Sequence, residues 1–342
     1  MLRLIASAHA FSSRAMREIS NRDWFWRTWI IQEVTLSAQL VVLTDSLQFS
    51  WNQWREMLVA TCDWPGRKKS SFLRQPEDEI GRMGVCAPPP VMQMSMQSAY
   101  VGAGEGVASR KDDENGTSGS EMSPKRLFRQ LLATANFKCK DPRDKLFAIL
   151  PLFTGTLPSL LRPDYSKSLH EVFTDLTWYF INHGVLDALS LARGITNDTT
   201  SPTWAVDWAN PQLHKIRNWA SRSAGFTESH EKHFAWRQGG VLVLRGIVIG
   251  SVKTCWQESY FLTHEGHTGS GNELKLDDLI CIFLGCATSF AVRRQSDQDD
   301  LLVGRCTVDD PGIMGGEAVA GLDWPAVEQG RLIAPLQDFR LC

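Results

Sequence analysis

The stretch that most constrains this chain is Asp23-Trp-Phe-Trp-Arg-Thr-Trp-Ile-Ile-Gln-Glu33. Trp26, Trp29, Ile30, Glu33, Val34 and Ser37 recur at the spacing of one α-helical stripe, and Asn21 or Asp23 can cap its start. Three tryptophans within six residues carry more aromatic area than a surface helix needs, so a core helix with Trp29 inside it is expected. The same stripe holds Glu33, directly after Gln32. A carboxylate beside buried surface must be paired, with Arg27 or another buried cation, or keep its proton to higher pH. Glu33 is therefore the candidate for any carboxylate chemistry, beside the alternative of a structural ion pair.

Composition narrows the class but not the activity. With 342 residues, 43% hydrophobic and 22% charged, the chain has ordinary globular composition and room for two or three domains. A formal net charge of −2 gives no electrostatic case for nucleic acid or an anionic membrane surface. No apolar run reaches the roughly 18–20 residues of a membrane-spanning helix, so a soluble, cytoplasmic chain is expected. Eight cysteines without a close framework fit reduced thiols. His264-x-x-His267 upstream of Cys281 and Cys286 is the nearest approach to a metal constellation. A strand running on to Cys286 would put those thiols on opposite faces, so no metal site is expected, and no cofactor. His230-x-x-His233 fits one helical face but supplies half a site. No G-x-S-x-G, P-loop or H-E-x-x-H occurs.

Along the chain, residues 1–20 read as an amphipathic helix with Arg3, Arg14 and Arg17 on one side. That pattern fits a helix packing on the core and also a mitochondrial transit peptide. Residues 40–43 read as a short buried strand, followed by a turn, and Ser50-Trp-Asn-Gln53 as a capping box. Residues 62–123, rich in proline, methionine, glycine and charge, lack any sustained period and read as a flexible insertion. Ser123-Pro124 then opens a helix with Leu127, Phe128, Leu131, Leu132 and Ala135 inward. Asp141-Pro-Arg-Asp-Lys145 repeats that device, Asp141 capping and Asp144 favouring the positive end. Ser166 or Ser168 caps the next helix, and Gly184 ends it. Ser201-Pro-Thr-Trp-Ala-Val-Asp-Trp208 reads as an ordered loop clamped on the helices. Residues 241–249, 279–284, 289–293 and 301–308 are strand-like, with residues 289–293 alternating as in a half-buried strand. The expected fold class is α+β, a helical first part and a strand-rich second, divided as 1–61, 62–123, 124–235 and 236–342.

Several of these segments share a resemblance. Trp24-Phe25-x-Arg27-x-Trp29-Ile30-x-Gln32-Glu33 resembles a block of the fungal heterokaryon incompatibility domain. Asp141-x-Arg143-Asp144-Lys145, Pro163-Asp164-Tyr165, the segment 201–208 and Gly312-Ile-Met-Gly-Gly316-Glu317 resemble blocks that follow it in that family. The family's two blocks upstream of the tryptophan segment do not occur before Asp23, which leaves the later part of such a domain. The resemblance implies a remnant of a TIR-like α/β fold and a role in fungal non-self recognition and programmed cell death. It implies contacts with other, unidentified proteins of the incompatibility pathway. It also raises an enzymatic alternative, NAD hydrolysis through Glu33.

Overall fold

A computed structural model describes residues 22–43, 48–54, 122–195, 200–215, 235–257, 259–295, 299–329 and 335–342. The amphipathic segment 1–20, the turn at 44–46, nearly all of the insertion 62–123, His230 and His233 lie outside them. The fold is α+β, and the chain divides into two compact units. The first takes residues 1–121 and 136–154, the second residues 122–135 and 155–342.

In the first unit the tryptophan segment is not one helix. A 3₁₀ turn spans Asp23–Trp26, the chain extends at Arg27 (φ −75°, ψ 139°), and helix α1 spans only Ile30–Leu36. The interruption has a tertiary cause. Lys138 N donates to Trp26 O (2.6 Å), and Thr28 N donates to Lys138 O (2.8 Å). Backbone groups that would continue the helix are thus committed to a strand-like bridge far along the chain. The break shifts the helical phase. Phe25, Ile30 and Ile31 are buried, Trp29 is half-buried rather than core, and Glu33 is exposed. Strand β1, Val41–Leu43, pairs antiparallel with β2, Gln48–Ser50. It is not the buried strand expected there, since Val41 and Leu43 are exposed. The capping box at Ser50 is present: Gln53 N donates to Ser50 Oγ, and Ser50 N to Gln53 Oε1. Trp54 is buried and stacks on Phe25, with ring centroids 5.9 Å apart.

The second unit is built on a sheet that closes on itself. Its strands are β3 Ala235–Gln238, β4 Val241–Trp256, β5 Tyr260–Thr263, β6 Thr268–Gly271, β7 Leu279–Phe283, β8 Ser289–Arg294, β9 Asp300–Val308 and β10 Gln337–Leu341. Pairing runs β4-β5-β6-β9-β8-β7 and returns to β4, a closed antiparallel circuit, with β3 and β10 added along β4. Closure removes free edges within that circuit. Successive side chains leave the strands in opposite directions and enter two different cores. Ile280, Ile282, Ala291 and Val303 pack with Met314, Val319 and Val327. Cys281, Phe283, Phe290 and Val292 pack with Ile181, Leu186, Leu189 and Trp204. Residues 289–293 are therefore covered on both faces, not half-buried as their alternation suggested. Cys281 and Cys286 also share one core, because β7 ends at Phe283 before the alternation reaches the second thiol.

The helices of this unit form where their caps are. Helix α2, Pro124–Thr134, starts at Ser123, whose Oγ accepts from Arg126 N at 3.3 Å. Ser168 and Glu171 form a reciprocal capping box opening α4, Leu169–Asn182, while α3, Asp144–Phe147, belongs to the first unit. Gly184 stops α4 at φ +77°, a conformation glycine adopts without steric cost. The loop 201–208 is clamped as expected. Trp208 Nε1 and Val206 N both donate to Thr177 Oγ1 at 3.1 Å, and Trp204 and Trp208 are buried.

Candidate functional site

Two motif segments meet in the first unit. Trp29 Nε1 donates to Asp144 Oδ2 at 3.0 Å, joining residues 115 positions apart. One helical turn on, Gln32 Nε2 donates to Ala148 O at 2.9 Å. Thr28 Oγ1 donates to Lys138 O at 3.1 Å, so residues of the tryptophan segment grip the segment 138–148 at three levels. Asp144 is buried and opens helix α3, Asp144–Phe147. Its carboxylate is thus turned to an indole N–H, and the helix starts three residues after the cap expected at Asp141. Asp141 instead closes a local turn. Its Oδ1 accepts from Arg143 N at 3.0 Å, and the two side chains form an ion pair at 2.6 Å. The Arg143 guanidinium, bonded to Asp141, holds that carboxyl below its ordinary range.

Beneath this lies a feature that motif reading missed. Lys145 is buried and its Nζ donates to Phe137 O. Burial pushes its ammonium pKa down. Cys139 sits within electrostatic reach of Lys145 and Asp144. Burial raises its pKa despite the opposing pull of the lysine. The sequence gives no hint of this. Lysine is seldom buried unless its head group has a partner, and here the partner is a backbone carbonyl set by the chain path. A buried amine engaged with a carbonyl is poorly placed to attack a substrate, so the pair reads as structural.

Glu33 stands apart from this network. It is exposed and, among the described residues, forms no ion pair with Arg27 or any other cation. Both expectations for it, a buried carboxylate and a structural salt bridge, fail for one reason: the break at Arg27 turns that face of α1 to water. Acid–base catalysis needs a group held within hydrogen-bond reach of reacting atoms, and among the described residues no side chain holds the Glu33 carboxylate. Arg27 is exposed as well, Trp24 is half-buried, and Phe25 is core.

The remaining motif residues lie in the second unit. Asp164 Oδ1 accepts from Ser166 N (2.8 Å) and Ser166 Oγ (2.6 Å), closing a turn beside Pro163 and the exposed Tyr165. Those bonds lower the Asp164 pKa. In the Gly312–Glu317 segment, Asp310 Oδ1 accepts from Gly312 N and Ile313 N, and Gly316 has φ +99°. A Cβ on Gly312 would stand 2.3 Å from Glu317 Oε2, so the glycine makes room for that carboxylate. These motifs read as local structural devices. Among the described residues no group of three His, Cys, Asp or Glu side chains could hold a metal ion. Burial raises the thiol pKa of Cys281 and Cys286 and pushes that of Cys306 up to about 12, which leaves them unreactive. No described helix is long and apolar enough to cross a membrane. No protein-family model, curated protein or solved structure matches the chain.

Proposed function

We propose that this chain is a heterokaryon incompatibility-type protein that acts in fungal non-self recognition and cell-death signalling through contacts with other proteins of that pathway, in the cytoplasm. In this reading its first unit is a remnant of a TIR-like domain. The observation that carries the reading is the Trp29–Asp144 hydrogen bond. Two motif blocks that resemble the family, far apart in sequence, are here in direct contact, and their most distinctive side chains serve each other. That is what a structural module used for recognition requires. The NAD-hydrolysing alternative would rest on Glu33, which is exposed and has no ion-pair partner among the described residues.

Two measurements test this. Expressed in a filamentous fungus, the intact chain should trigger growth arrest and loss of viability, and Trp29→Ala should abolish the effect. A chain without any such effect would contradict the proposal. Purified protein incubated with NAD should release no nicotinamide. Release that disappears in Glu33→Gln would replace the proposal with the enzymatic reading.

A further inference from the structure

The first turn of α4 carries a pairing with the start of the segment 201–208. His170, the second residue of that helix, lies with its Nδ1 2.5 Å from Ser201 Oγ and its Nε2 3.0 Å from Thr200 Oγ1. His170 and Ser201 are half-buried, and Thr200 is exposed. Both sides of the pairing are held by rigid structure. The helix start is fixed by the Ser168–Glu171 capping box. Ser201 precedes Pro202, which restricts its backbone. Two residues on, Thr203 N donates to Cys342 O (2.9 Å), Leu302 N donates to Thr203 Oγ1 (3.0 Å), and Trp204 is buried with its Nε1 on Gly240 O. A serine hydroxyl and an imidazole nitrogen are thus kept within hydrogen-bond reach, with a third group on the far nitrogen.

We propose that Ser201 and His170 form a nucleophile–base pair that transfers small acyl groups from activated esters. A neutral imidazole has one donor and one acceptor nitrogen. In the tautomer this reaction uses, Nε2–H donates to Thr200 Oγ1, which leaves Nδ1 to accept the Ser201 proton. In the reaction Ser201 Oγ bonds to the ester carbonyl carbon while its proton passes to His170 Nδ1. The bond from that carbon to the alcohol oxygen then breaks, and the alcohol leaves with the proton taken back from the imidazolium. Water attacks the acyl-serine next, again giving a proton to His170. The carboxylic acid departs and the Ser201 hydroxyl is restored. The position that an acid holds in a serine–histidine–aspartate triad is filled here by a neutral threonine, because Glu171 is committed to the Ser168 amide at 2.8 Å. The pair is therefore a weak activator, suited to reactive esters and not to amides.

The test uses the full chain with an alkyl fluorophosphonate, which serine attacks with loss of fluoride, and with p-nitrophenyl acetate. Peptide mass mapping should place the phosphonyl adduct on Ser201. Ser201→Ala should remove the adduct, and His170→Ala should slow labelling and ester hydrolysis roughly 10²-fold or more. Thr200→Val, a change at an exposed position, should slow both several-fold and keeps the proposal testable if the histidine variant does not fold. Absence of the Ser201 adduct in the native chain overturns the proposal. So does labelling at the same rate in Thr200→Val and His170→Ala, which would leave the pairing as a clamp on the loop 201–208.

Discussion

The two units keep their chains together by different means. In the second, apolar side chains leave a closed sheet in both directions and fill two cores, and long-range polar bonds such as Trp208 to Thr177 and Arg293 to Asp278 are added to that burial. In the first, directional bonds over long sequence distances join the few described segments: Trp29 to Asp144, Gln32 to Ala148 and Thr28 to Lys138. Dispersion and hydrophobic burial depend on volume and tolerate changes of residue type at similar size. A bond between a half-buried indole and a buried carboxylate depends on which atoms are present. The second unit should therefore be sensitive to lost volume and the first to altered chemistry.

The largest effect should come from the closed sheet. Phe290 is fully buried against Phe283, with ring centroids 5.2 Å apart. Phe290→Ala should cost about 3–5 kcal/mol in denaturant unfolding, as for other truncated core aromatics, whereas Phe290→Leu should cost much less. Equal losses would break the comparison.

A smaller, pH-dependent effect should mark the exception in the second unit. Asp187 is a partly buried carboxyl whose pKa burial raises, with Lys125 only partly opposing. A carboxyl with a raised folded-state pKa holds its proton in the native state when the unfolded chain has lost it. Its cost is absent at pH below the unfolded value and grows as pH rises through the folded one. Asp187→Asn should stabilise the protein at neutral pH, and the gain should vanish on acidification. A gain independent of pH would locate the effect elsewhere.

Local signals were the legible ones. Ser123, Ser168 and Ser50 cap helices because the bonds they make reach only three residues along the chain. The β-branched run at 241–249 and the proline- and tryptophan-bracketed loop at 201–208 likewise announce themselves. Strands β5 and β6, Tyr-Phe-Leu-Thr and Thr-Gly-Ser-Gly, do not, since their pairing comes from closure of the circuit and not from their composition. The face of α1 is not legible in the sequence because its phase is set by Lys138, over a hundred residues away, and that phase leaves Glu33 exposed where local periodicity alone would bury it. The burial of Lys145 is invisible for the same reason. Motif identity pointed to Trp29 and Asp144 as important but could not say that they touch.

The smallest effect should be at Glu33. Exposed and without an ion pair among the described residues, it should tolerate Glu33→Gln with a stability change within about 0.5 kcal/mol. A larger loss would show that the first unit uses this carboxylate in its fold, and would narrow the contrast with the apolar sheet.

The claim that the two motif blocks form one module is tested most directly by a double-mutant cycle on Trp29 and Asp144. Trp29→Phe keeps an aromatic ring and removes the N–H, and Asp144→Ala removes the acceptor. Unfolding free energies of the native chain, both single variants and the double variant give the coupling between the two sites. Because the bond is partly buried, the coupling should be about 1 kcal/mol, the double variant losing less than the sum of the singles. Additive losses within about 0.5 kcal/mol would mean that the indole and the carboxylate do not depend on each other, and would contradict the account.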